Sequence, residues 1–223
     1  MAPPKPTSKR KPSHDPETKP DGRHARRDQT EKKLLTTVGK LLAKRGVKAL
    51  GVNVVAQAAG VDKVLIYRYF GDFDGLLRRY GESVDFWPSF DEVLGAEREV
   101  LLERDPNRIA SRFLMNYARA LRRRPATLEL LAWECSHRNE LTMVLEQTRE
   151  RWSGELLAEI QKAGVVLEPS LVARAVVMSA AIHYLAVRGR QLEVFSGIEI
   201  GKKGNWAEIE QAIQLSFEPH ATH

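Results

Sequence analysis

Residues Val52 to Leu77 read VNVVAQAAGVDKVLIYRYFGDFDGLL, and the parsing of this stretch decides the fold. The run before Gly60 is apolar and helical in character. It stops where only a glycine takes positive φ without steric cost. Asp62 follows at a position where its carboxylate can accept the free N–H groups of a helical first turn. The spacing therefore predicts a second short helix over Lys63 to Tyr69, ended by Phe70-Gly71. Val55, Ala59, Val61, Ile66 and Phe70 form the apolar set that locks the pair, with Ala56 and Ala58 kept small where the helices cross. The outer face keeps Lys63, Val64, Leu65, Tyr67, Arg68 and Tyr69. Two short helices around such a turn present one of them to DNA, although compact units of this kind also serve as scaffolds.

Working outward, Leu34, Leu35, Val38, Leu41 and Leu42 recur at helical spacing, which predicts a support helix from Asp28 to Arg45 with Gly46 as its stop. Its Lys32, Lys33 and Lys40 read as solvated. Asp72 can cap a fourth helix carrying Leu76, Leu77, Tyr80 and Val84, which connects two domains until Pro88. Further helices are expected over Asp91 to Arg104, Asn107 to Arg123, Ala126 to His137, Glu140 to Lys162, Ser170 to Gln191 and Trp206 to Phe217. Breaks fall at Asp105-Pro106, Pro125, Gly164, Pro169 and the Gly-rich Ser196 to Asn205. The fold class is all-α. Leu192 to Ile200 (LEVFSGIEI) alternates like a small hairpin but reads as a loop in this setting. The expected organisation is a disordered basic arm over 1–27, a helix-turn-helix domain over 28–75, a helical regulatory and dimerisation domain over 76–218, and a tail over 219–223.

The chain has 223 residues, enough for a real core, and 35 Lys and Arg against 29 Asp and Glu give a net charge of +6. That excess permits nucleic acid without proving it, and much of it lies in the first 27 residues, where proline and charge leave little to bury. Such an arm can add phosphate contacts or enter a minor groove, or it can be a solvated tail. Cys135 is the single cysteine, so an internal disulfide is excluded and a reducing cytoplasm is the expected location. The most apolar stretch, Ala173 to Val187, reads as too short to span a bilayer and carries Arg174 and His183, so no membrane segment is expected. The N-terminus lacks the apolar region of a secretory signal.

The pattern AxxAGVxKxxIYRYF, followed by a short loop and DGLL, resembles the DNA-binding half of the tetracycline-repressor-like (TetR/AcrR) family of bacterial transcription regulators. The likeness covers about fifty residues, Asp28 to Leu77, and beyond them only the helical layout is similar. It implies a homodimer that grips double-stranded DNA at a palindromic operator and lets go when an unknown small-molecule effector enters a variable helical domain. It also implies that Lys63, Tyr67 and Tyr69 contact phosphates. Arg68 can pair with a phosphate or a guanine edge, Val64 and Leu65 suit a thymine methyl, and Asn53 on the preceding helix completes the candidate set. The chain departs from the family at Leu65, where a small hydroxyl residue is usual, at Asp62, where serine is usual, and at Phe73, where a lysine often meets the backbone. A second reading is therefore a helical ligand-binding or interaction protein whose motif no longer reads DNA.

The helix from Ser170 carries Ala173, Ala175, Ser179, Ala180 and Ala181 among valines, and with the last helix it resembles the family's dimerisation pair. Val176, Ala180, Tyr184, Ile209 and Ile213 are the candidate dimer residues, with intramolecular packing as the alternative. Trp87, Phe90, Phe113, Tyr117, Trp133, Cys135, His137, Met143 and Met178 can line a mainly apolar ligand cavity. Trp87, Phe113, Tyr117, Trp133, His137 and Met178 are the leading ligand candidates, and core packing is the alternative for each. Enzymatic readings find no support. Cys135 and His137 sit at i, i+2 on one helix and face apart, and no phosphate loop, nucleophile elbow or zinc set is present. No catalytic residue, cofactor or metal is expected.

Overall fold

The computed structural model describes residues 22–83, 85–138, 140–201, 204 and 206–218. Helix α1 runs from Gly22 to Arg45, six residues earlier than the apolar spacing predicts, so Arg23, Arg26 and Arg27 belong to a helix and not to an arm. Residues 1–21, the remainder of the expected arm, lie outside the described residues, as do Val84 and the tail after Glu218. A short 3-10 turn over Val47–Ala49 follows, and then α2 (Val52–Ala59) and α3 (Val64–Phe70) form the helix-turn-helix unit. Leu34, Val38, Leu42, Val55 and Ile66 are fully buried between these three helices. That burial, rather than helix propensity, holds segments as short as α2 and α3. Ala56 is buried at the crossing as expected, whereas Ala58 faces solvent.

Helix α4 (Phe73–Gly81) starts on Asp72, whose side chain accepts the Gly75 N–H at 2.6 Å. A Cβ on Gly75 would sit 2.0 Å from the Phe70 carbonyl oxygen, so only glycine lets α4 leave α3 this tightly. Helix α5 (Phe90–Leu94) opens with a capping box between Ser89 and Glu92. The single helix expected over Asp91 to Arg104 is broken. Gly95 turns the chain at φ 82°, Glu97 and Arg98 also have positive φ, and Ala96–Glu103 continues as 3-10 turns. Then come α6 (Pro106–Arg122), α7 (Pro125–Glu134), α8 (Glu140–Lys162) and α9 (Pro169–Arg188). Pro106, Pro125 and Pro169 each stand at the first helical position, where the missing N–H costs nothing.

The segment that sequence alone reads as a loop is a hairpin. Strands β1 (Val194–Phe195) and β2 (Ile198–Glu199) pair antiparallel across Ser196-Gly197, both at positive φ, the backbone signature of the hairpin-favouring I′ turn. The alternation of Leu192 to Ile200 was the correct signal. Helix α10 (Ala207–Leu215) closes the described chain. The architecture is all-α apart from this hairpin.

One apolar core runs through both halves. Helix α1 packs on α7 and α4 packs on α8, so two helices of the N-terminal unit are seated on two helices of the larger one. At the α4–α8 crossing a Cβ on Gly81 would meet Leu145 at 2.5 Å, so the two backbones approach closely there. Among the described residues α9 is long and apolar enough to cross a membrane by length and composition, which corrects the expectation that this stretch is too short.

Candidate nucleic-acid interface and ligand cavity

The turn between α2 and α3 rests on two residues. Gly60 adopts φ 59° and ψ 44°, the left-handed conformation that stops α2. Asp62 Oδ1 then accepts the Val64 N–H at 2.8 Å, so the carboxylate caps α3 as its position in the sequence suggests. With Ile66 fully buried on the inner side, the outer side of α3 is fixed in orientation. Lys63, Val64, Tyr67 and Arg68 are exposed there, and Val64 and Tyr67 each keep half of their surface open. Asn53 and Val54 extend this surface from the start of α2.

Two of the candidate contacts are less free. Leu65 is half-buried, and Tyr69 lies under the Arg27 guanidinium, 5.3 Å from the ring centroid. Arg27 also bonds Glu31 at 2.6 Å, so the start of α1 is tied to the end of α3. Phe73 packs against the core from the first turn of α4. Sequence reading took Lys33 as a solvated charge of α1. Its Nζ lies 3.7 Å from where a Gly60 Cβ would be, beside the turn, in a groove shared with Lys32, Thr37, Lys40 and Lys44 of α1. Only the three-dimensional proximity of α1 to the turn reveals it.

The larger domain holds a half-open cavity of about 690 Å³ between α6, α7, α8 and α9. Trp87, Phe113 and Tyr117 line it, as expected, together with Cys135. Trp133, His137 and Met178 do not. The Trp133 and His137 rings stack on each other with centroids 3.7 Å apart, and Lys48 sits over the Trp133 ring at 5.4 Å. These two residues mark the seam between α7 and the N-terminal unit. Met178 packs against the core beside the cavity.

Sequence reading missed Trp152, Glu134 and Arg149. Trp152 completes an aromatic wall, with ring centroids 5.9 Å from Trp87 and 6.2 Å from Tyr117. Glu134 of α7 and Arg149 of α8 form an ion pair at 2.6 Å, both mostly shielded from solvent. Burial pulls the Arg149 guanidinium down, but the hydrogen bond and charge of Glu134 more than restore it, and it is held above its usual range. His183 of α9 bonds the Tyr117 hydroxyl. Burial, with the Arg149 charge adding to it, pushes the His183 imidazolium down to about 4, and burial raises the Tyr117 phenol, so both are neutral near pH 7. Neither of these two polar pairings has a periodic signature in sequence, because each joins two different helices.

Around the mouth, Val176, Ala180 and Tyr184 belong both to the cavity lining and to the outer face of α9. With Val177 they form an exposed apolar stripe, Val176 at 63% and Val177 at 70% exposure. Ile213 does not join it. It is 1% exposed and closes the core inside the chain, and Ile209 is half-buried beside it. Leu215 is the exposed large apolar residue of α10. Among the described residues no cluster of three or more His, Cys, Asp or Glu is placed to hold a metal.

A family model described as bacterial regulatory proteins, tetR family, matches residues 35–80, which span the end of α1 through α4. No curated protein sequence matches the chain. Among solved structures, one from Rhodococcus sp. assigned to the TetR-family transcriptional regulators is 22% identical, with a TM-score of 0.59 over 86% of this chain and 100% of that one. The fatty acid degradation regulator FadR from Bacillus halodurans is 14% identical, with a TM-score of 0.58 over 87% of this chain and 97% of that one. The TetR family transcriptional regulator PfmR from Thermus thermophilus is 20% identical, with a TM-score of 0.51 over 82% of this chain and 96% of that one. At such identities the likeness is one of fold, and it extends over both halves of the molecule.

Proposed function

We propose, from the premise that this chain carries the DNA-binding domain of the tetR family of bacterial regulatory proteins, that it is a dimeric transcriptional repressor. It binds a palindromic operator through two copies of α3 and is released by a small molecule in the cavity between α6 and α9. The observation that carries this reading is the exposed outer side of α3. Lys63, Tyr67 and Arg68 stand on a helix whose opposite side is locked by Ile66 and whose first turn is capped. Sequence-independent affinity then comes from charge on phosphates, and base readout from Arg68, Val64 and Asn53. A cytoplasmic location follows from that role.

Dimerisation is supported by α9. Its apolar stripe over Val176, Val177, Ala180 and Tyr184 stays largely exposed within the described chain, although the Phe195 ring meets Tyr184 edge-on, and a patch of this kind marks an interaction surface. We read it as the contact with a second copy and not as a membrane span. Two recognition helices must sit about one DNA turn, roughly 34 Å, apart to read a palindrome, and a twofold contact fixes that spacing.

Release is supported by the seating of the two units. A ligand that shifts α7 or α8 presses on α1 or α4, since those are the pairs in contact. The ligand must favour the arrangement whose α3 helices are misplaced, because equal affinity for both arrangements shifts nothing. Duplexes selected from random DNA by the purified protein provide the operator for the decisive measurement. Lys63→Ala with Tyr67→Phe is expected to weaken that operator by about a hundredfold and to flatten the salt slope by about two per dimer. Unchanged affinity would reject the assignment.

The second reading, a helical ligand-binding protein that has ceased to read DNA, draws on Leu65, Phe73 and Asp62. Phe73 is packed against the core and Leu65 is half-buried, and Asp62 places an unfavourable charge on the exposed surface. That single charge is a weaker observation than the intact recognition face.

A further inference from the structure

The polar groups of the cavity define the chemistry of its occupant, an argument that rests on the cavity being the effector site. One wall is aromatic, formed by Trp87, Phe113, Tyr117 and Trp152, and aliphatic side chains such as Ile109, Leu156 and Leu171 line the rest. Two charges lie against it, Glu134 and Arg149, and they are already matched to each other at 2.6 Å. Glu150 also touches the lining but is exposed, where solvent and salt screen it. Only one carboxylate oxygen of Glu134 is used by the pair. The other, Oε1, is buried and has no hydrogen-bond partner among the described residues, and the same holds for the Trp87 Nε1–H. A buried acceptor and a buried donor left unmet beside an apolar space are costly, and a molecule that supplies the missing hydrogen recovers that cost.

We infer that the cavity binds an uncharged aromatic molecule bearing a hydroxyl or N–H donor, with Glu134 Oε1 accepting that hydrogen and the rings lying among Trp87, Phe113, Tyr117 and Trp152. A carboxylate would compete with Glu134 for Arg149 and leave one of two buried anions unpaired. An ammonium would place a second cation beside Arg149. Either adds an uncompensated charge to a site that is balanced when empty. The neutral His183–Tyr117 pair adds no charge that would rescue one.

Isothermal calorimetry with three probes of one skeleton tests this: 4-biphenylmethanol, 4-biphenylcarboxylate and 4-biphenylmethylammonium, titrated into the full chain without DNA. The alcohol is expected to bind, and to bind at least about tenfold more tightly than either charged analogue. In Glu134→Gln the Arg149 charge is no longer balanced, so the alcohol weakens by about tenfold and the carboxylate overtakes it. A purely structural role for Glu134 would weaken all three alike. The inference is overturned if the wild-type protein fails to bind the alcohol, or if the carboxylate or the ammonium binds as tightly, and this ranking decides even if the variant does not fold. Separate operator titrations keep the two readings apart. Operator binding with no alcohol binding rejects the ligand class and spares the regulator, whereas alcohol binding that leaves the operator complex unchanged rejects the effector role and spares the ligand class.

Discussion

The two halves of the molecule deploy polar groups in opposite ways. In the N-terminal unit, Lys63, Arg68 and Lys33 point into solvent around a small apolar core, and their partner must come from outside. In the larger domain, Glu134, Arg149, Tyr117 and His183 are turned inward and pair across helices. Exposed charges act through number and are weakened by salt. Inward ones act through matching, and one unmatched group changes the whole site. A surface built the first way suits a polyanion of repeating charge, whereas a cavity built the second way is suited to discriminating among small molecules.

The sharpest break of this contrast is at Gly75, where the two halves begin to connect. Gly75→Ala puts a Cβ onto the Phe70 carbonyl, a contact with backbone that no side-chain shift can relieve. The expected cost is at least about 3 kcal/mol of stability, seen as a lower urea midpoint. If the contrast is right, operator affinity collapses while biphenylmethanol binding survives wherever the larger domain still folds.

Val176→Glu addresses the outer face of α9. A carboxylate placed in an apolar contact between copies is expected to cost each dimer about 2–4 kcal/mol. Sedimentation should show a monomer at concentrations where the unaltered chain is dimeric, with operator affinity lost in parallel. A dimer of unchanged strength would move the twofold contact elsewhere.

How far these features were legible in sequence follows the same division. The helix-turn-helix unit was legible because its determinants are local: Gly60 and Asp62 act within four residues, and the stripe of Leu34, Val38 and Leu42 repeats along one helix. The start of α1 was misplaced because Arg27 is polar, and only its stack on Tyr69 shows why a charged segment stays helical. Trp87, Phe113 and Tyr117 were found as large aromatics, but Trp133 and His137 looked the same and belong to the α7 seam. Glu134 and Arg149 are separated by a helix boundary, and nothing in periodicity distinguishes a buried ion pair from two solvated charges. Ile213 was expected at a partner surface, yet apolar spacing alone does not tell inward packing from outward.

Acidification gives a smaller effect confined to the inward half. His183 holds its imidazolium down near 4, against 6.5 when exposed. The unfolded chain therefore binds the extra proton between pH 6.5 and 4 and the folded chain does not, so this contribution is complete above 6.5 and is lost as pH falls toward 4. The slope approaches about 1.4 kcal/mol per pH unit at most. His183→Gln can keep the Tyr117 hydrogen bond but does not titrate. Its denaturation midpoint should lose less between those two pH values than that of the unaltered chain, and parallel curves would mean His183 is not shielded.

The smallest effect separates two roles of one residue in the outward half. Asp62 caps α3 through the Val64 N–H, and it also holds a negative charge where phosphates should approach. Asp62→Ala removes both, and the lost cap costs about 1 kcal/mol of stability. Asp62→Ser keeps an oxygen for the Val64 N–H and removes only the charge, so stability should hold while operator affinity rises by a few-fold, most clearly at low salt. Should Asp62→Ser weaken the operator instead, the carboxylate must act as a base-reading acceptor, for example toward a cytosine amino group. Asp62 would then count among the residues that specify sequence, and the family's usual serine would mark a different operator and not a stronger one.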